Sequence, residues 1–81
     1  MIRVRLFAAL RELAGTAHLE LEAQTVGEAA ALLSERLGPK FGQIMASGSV
    51  VVGGERVGFE RTLSEGEEVA FLPPVSGGSA G

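Results

Sequence analysis

Few residue types that carry chemistry occur in this chain, which has no cysteine and a single histidine, His18. Disulfides, thiolate metal sites and cysteine nucleophiles are therefore excluded, and one imidazole is too few for a protein-only metal site or a Ser/His/Asp arrangement. His18 stands in an alternating stretch and reads as a solvent-facing strand residue. Gly53-Gly54 lacks a following Lys-Ser/Thr and a strand-to-helix context, so it is a turn and not a phosphate loop. The carboxylates Glu65, Glu67 and Glu68 flank Gly66 in a polar turn, and Arg11 reads as a solvated helix-end charge. What remains is the chain end, where Gly77-Gly78 is followed by Ser79-Ala80-Gly81. Two residues without Cβ can thread a tunnel that would reject any side chain, which suits a carboxylate delivered into another protein's active site. ATP can activate such a carboxylate as an acyl-adenylate. A sulfur donor can then displace AMP and leave a thiocarboxylate, which gives sulfur chemistry to a chain without cysteine.

Composition narrows the partners. Seven basic and ten acidic residues in 81 give a formal charge of -3, against the basic face that nucleic acid requires. Four phenylalanines are the only aromatics, so stacking platforms for bases are not expected. No apolar run approaches the roughly 20 residues that span a bilayer, and the start alternates arginine with apolar residues instead of building a signal core. The expectation is a cytoplasmic protein with no membrane and no nucleic-acid partner. At this length there is room for one domain with a small core.

The elements that must position the chain end follow from periodicity. Ile2, Val4 and Leu6 alternate with Arg3 and Arg5, the pattern of a strand buried on one face, which Phe7 and Ala8 extend. Residues 9–14 predict a short helix with Leu10 and Leu13 on one face, stopped by Gly15. Residues 16–22 alternate again and predict a strand antiparallel to the first. Thr25-Val26-Gly27-Glu28 has capping-box spacing, in which the Glu reaches back to the Thr N–H. It opens a helix whose Val26, Ala29, Ala30, Leu33 and Leu37 recur at three and four, ending at Gly38-Pro39. Residues 39–47 are broken by Gly and Gln and read as a packed loop, with Phe41 and Ile44 in the core. Residues 49–52 and 55–57 form a hairpin around Gly53-Gly54. Residues 69–72 form a last strand, central and covered on both sides, which Pro73-Pro74 ends. Two hairpins around one helix, with right-handed crossover, place the first and last strands side by side in the middle. This is α+β, the β-grasp (ubiquitin-like) architecture: a mixed five-stranded sheet covered by one main helix. Residues 1–75 make the domain, and residues 76–81 a flexible Gly-Gly tail with a three-residue extension.

Both ends of the chain resemble one family. Met1-Ile2-Arg3-Val4, Phe7-Ala8, Leu10-Arg11-Glu12-Leu13-Ala14-Gly15 and the run from Leu63-Ser64-Glu65-Gly66 through Pro73-Pro74-Val75-Ser76-Gly77-Gly78 are similar to the small subunit of molybdopterin synthase (the MoaD family). The resemblance implies a sulfur carrier with no cofactor and no metal of its own. Its Gly78 carboxylate, with Gly77 before it, would be adenylated by an E1-like adenylyltransferase (MoeB-like) that uses ATP, then thiocarboxylated. It would next enter the large subunit (MoaE-like) of a heterotetramer, where two carriers supply the dithiolene sulfurs to cyclic pyranopterin monophosphate. Catalytic side chains would lie on the large subunit. The sheet face left uncovered by the helix would be the interface, and the resemblance points to Phe7, Leu72, Pro73, Pro74, Val75 and Ser76 as partner-binding residues. The family pattern ends at Gly-Gly, and a carboxylate in a peptide bond cannot be adenylated. Ser79-Ala80-Gly81 is therefore trimmed by a protease, or is an added extension, or marks a chain that is not an active carrier. Two other readings stay open: a sulfur carrier of another pathway (thiamine, tRNA thiolation or cysteine synthesis), and an inert β-grasp binding module.

Overall fold

The structure, a computed structural model, describes residues 1–74. Strand β1 (Ile2–Leu6) is followed by helix α1 (Ala8–Ala14), strand β2 (His18–Leu21), helices α2 (Val26–Leu37) and α3 (Pro39–Ser47), and strands β3 (Ser49–Val52), β4 (Glu55–Val57) and β5 (Glu68–Leu72). The five strands form one mixed sheet in the order β2-β1-β5-β3-β4. The first and last strands are the parallel central neighbours, Val4 opposite Val69 and Leu6 opposite Phe71. Every other pairing is antiparallel. The α+β, β-grasp reading therefore holds, with three helices in place of one main helix and a short one.

Alternation decides which side of the sheet is buried. Ile2, Val4, Leu6, Leu21, Val50, Val52, Val69 and Phe71 all point to one face, where they pack with Leu10, Val26, Ala29, Leu33, Phe41 and Met45 of the helices. No polar or charged residue is buried among the described residues. Helix α2 starts cleanly because its first amides all find acceptors. The Val26 N–H donates to the Arg61 carbonyl at 2.9 Å, the Gly27 N–H to the Phe59 carbonyl at 2.8 Å, and the Glu28 N–H to Thr25 Oγ1 at 3.1 Å. The carboxylate of Glu28 reaches back one residue further than the capping-box spacing predicts. It accepts from the Gln24 N–H at 2.7 Å, and the Gln24 carbonyl in turn accepts from the Leu63 N–H at 2.8 Å where this segment bridges to Thr62.

Several boundaries differ from the sequence reading. Residues 39–47 are a helix and not a loop: Pro39 sits in its first turn, and Phe41 and Met45, four apart, both enter the core. Strand β1 stops at Leu6, and Ala8 belongs to α1. Leu10 is fully buried while Leu13, expected on the same face, is 42% exposed. Strand β5 is central but covered on one side only, with Val69 and Phe71 buried and Ala70 and Leu72 half-buried on the opposite face. The Gly53-Gly54 hairpin turn is as expected, both residues at positive φ (61° and 82°).

Candidate functional site

The side chains that alternation turns away from the helices make an open sheet face. Arg3 pairs in register with Glu20 on β2 and Glu68 on β5, and Arg5 with His18 and Ala70. Leu72 stands opposite Ser49, and Val51 opposite both Ala70 and Arg56. Along the middle runs an apolar strip of Val51, Ala70 and Leu72, each half-buried. Charged side chains flank it on both sides, and His18 on the outer strand is exposed, as its alternation predicts.

Phe7 follows β1 by one residue and continues the side of Arg3 and Arg5. The Arg5 guanidinium lies 5.2 Å from the centroid of the Phe7 ring, and Arg5 Nε is 3.7 Å from a Glu68 carboxylate oxygen. Both charged side chains are largely exposed, so the ion pair adds little stability. The contact orients the ring more than it holds the fold. Because Leu6 pairs with Phe71, the same register carries Phe7 to the neighbourhood of Leu72. Two of the predicted docking residues are thereby brought to one end of one face. Pro73 is half-buried and Pro74 exposed at that end, where neither can donate to a further ladder. The remaining predicted site residues, Val75, Ser76, Gly77 and Gly78, lie outside the described residues, as does the extension.

A residue that the sequence did not single out shapes this end. A Cβ built on Gly48, between α3 and β3, would overlap the Leu72 carbonyl oxygen and lie 3.0 Å from Pro73 Cα. Only glycine lets the start of β3 run this close to the end of β5. A glycine between two elements is so common a turn signal that nothing local marks this one as a close approach.

The acidic run sits at the other end of β5. Glu65 pairs with the Met1 ammonium. Glu67 accepts from the Ser64 N–H at 2.9 Å and from Arg61 at 3.2 Å. That backbone hydrogen bond, with the Arg61 guanidinium second, holds the Glu67 carboxyl below its usual 4.5. These carboxylates build a turn, and among the described residues no cluster of three His, Cys, Asp or Glu side chains is arranged to hold a metal. Arg11 is exposed in the last turn of α1. No helix among the described residues is long and apolar enough to cross a membrane.

Known proteins resemble this chain over more than nine-tenths of its length. The chain is 38% identical over 85 residues to the molybdopterin synthase sulfur carrier subunit of Escherichia coli (strain K12), covering 96% of this chain and all of that one. The solution structure of small archaeal modifier protein 1 from Methanosarcina acetivorans superposes with a TM-score of 0.84 at 29% identity, covering 95% of each chain. A putative molybdopterin converting factor, subunit 1, from Pyrococcus furiosus gives 0.79 at 27% identity, over 91% of this chain and 97% of that one. The resemblance carried by the two ends of the sequence thus extends through its middle. With the ThiS family profile matching residues 4–78, the chain belongs to the ThiS family.

Proposed function

We propose that this protein is the sulfur-carrying small subunit of a molybdopterin synthase. The observation that carries the reading is the match to the E. coli sulfur carrier subunit, which spans all of that protein at 38% identity. In this reading the Gly78 carboxylate, once free, attacks the α-phosphorus of ATP on an E1-like (MoeB-like) enzyme and releases pyrophosphate. A sulfur donor then displaces AMP, leaving a thiocarboxylate whose sulfur attacks cyclic pyranopterin monophosphate in the pocket of a large, MoaE-like subunit. Subunit 1 of the Helicobacter pylori molybdopterin-converting factor is described in complex with subunit 2, and the same kind of partner suits the apolar strip ending at Leu72. The chain itself supplies a handle and a docking face, and its partners supply ATP, pocket and bases.

The test uses two forms, the full chain and one ending at Gly78, each incubated with the activating enzyme, ATP and a sulfur source. Intact mass should show exchange of oxygen for sulfur only in the form ending at Gly78. Sulfur on the untrimmed chain would move the acceptor to Gly81, and sulfur on neither would remove the carrier reading in favour of a binding module. Adding the large subunit and cyclic pyranopterin monophosphate should then yield molybdopterin. Gly78→Val should fold normally and abolish this yield, through clash with a narrow channel. A thiocarboxylated chain that never yields molybdopterin would point instead to a carrier of another pathway, a reading favoured by the 0.84 superposition on an archaeal modifier protein.

A further inference from the structure

Register sorts the charges of the open face row by row. Across its middle run His18, Arg5, Ala70, Val51 and Arg56, each opposite the next. One row back, about 7 Å along the strands, Arg3 stands between Glu20 and Glu68. One row forward, Leu72 faces Ser49. The carboxylates of the face therefore lie where β5 begins, and the rows where it leaves the sheet hold none. A chain of formal charge -3 thus turns a cationic and apolar half toward the exit of its C-terminal segment.

Arg56 stands out in that half. Its Nη2 donates to Ser49 Oγ at 3.0 Å, which lays the side chain along β3 toward Leu72, the residue opposite Ser49. The ion pairs among the described residues belong to Met1, Arg5 and Arg61, so a neutral hydroxyl orients Arg56 and no carboxylate neutralises it. The side chain is exposed. Strands β1 and β4 are three inter-strand spacings apart, so Arg5 and Arg56 bracket the apolar strip from backbones about 14 Å apart. We infer that Arg56, with Arg5 across the strip, selects the partner: the protein surface that covers Val51, Ala70 and Leu72 is apolar at its centre and carries carboxylates at its rim, one of them against Arg56. The apolar centre supplies affinity, and the rim charges supply orientation and the rate of encounter. A small anion alone would satisfy Arg56 and leave the strip uncovered. The inference rests on the proposed docking of the open face to the large subunit, and adds the charge which that subunit must present.

The experiment compares Arg56→Glu, Arg36→Glu and Leu72→Ala with the parent, all ending at Gly78. Stopped-flow association with the large synthase subunit is measured at about 50 and 500 mM salt, where screening differs strongly, and thermal midpoints check folding. Arg36 is exposed in the last turn of α2, on the helical side of the sheet, so its reversal makes the same change in net charge away from the open face. Arg56→Glu should keep the parent midpoint and slow association about tenfold at low salt, a deficit that shrinks to about twofold at high salt. Arg36→Glu should stay within about twofold of the parent in both. Equal slowing by Arg36→Glu would reduce the effect to net charge, and parent-like or faster association of Arg56→Glu would exclude an acidic rim. Either result overturns the inference, while weakened binding of Leu72→Ala leaves the docking face standing. Parent-like binding of Leu72→Ala would overturn the docking assignment and the inference together.

Discussion

At Gly48 one hydrogen atom decides how β5 ends. The Leu72 carbonyl occupies the place a side chain would take, so Gly48→Ala must push β3 and the departing chain apart. Overpacking of this kind costs about 1–3 kcal/mol. The expected result is a lower urea midpoint, with amide shifts at Ser49 and Leu72 and none in β2. Unchanged shifts at those two residues would show that the approach is not tight. Glu67 is a second residue whose surroundings set its behaviour. Its folded pKa is lowered by the Ser64 N–H and Arg61, so the stability it contributes is present above the ordinary carboxylate value. That stability is lost as pH falls through the lower, folded value. Urea midpoints followed downward from pH 6 should therefore fall for the parent and fall less for Glu67→Gln. Parallel acid limbs would remove Glu67 from the acid response. Both residues were poorly legible beforehand, because their partners are distant in sequence or come from the backbone.

Among the elements, the strands were the most legible, because a period of two survives any tertiary context that leaves one face open. The resemblance, and not parity, pointed to Phe7 and Leu72; it is the β1–β5 register that puts Leu72 on the side of Arg3 and Arg5, and Val69 and Phe71 on the other. In β5 the period of two had nothing to act on, because Val69-Ala70-Phe71-Leu72 is apolar at every position, and the strand read as covered on both sides where only one is. Helix α3 was illegible for a different reason. Gly42 breaks its propensity, yet a Cβ there would stand 2.6 Å from Ser34 Oγ on α2, so the glycine marks a helix–helix contact and not a loop. Tertiary packing supplies what local preference lacks. The measure of that packing is Phe41, completely buried on α3, whose replacement by alanine should cost about 3–5 kcal/mol. Calorimetry should show a large drop in the thermal midpoint, and a loss below about 1 kcal/mol would mean that α3 docks loosely.

For the molecule as a whole, a single small core carries nearly all of the stability. With no cysteine, it must do so without covalent staples. The architecture was legible because element order and crossover handedness leave few alternatives. The chain-end chemistry is a reading of residue types alone and stays a proposal, since Gly77 and Gly78 lie outside the described residues. The parallel pairing of β1 with β5 has a mechanical meaning as well. The chain begins at one end of this pair and passes from Leu72 into Pro73 at the other. A pull on the C-terminal segment against the N-terminus therefore loads the whole β1–β5 ladder in shear, its hydrogen bonds sharing the force at once instead of opening one by one. Force applied along this line thus meets the stiffest direction of the domain, and the fold resists opening under it.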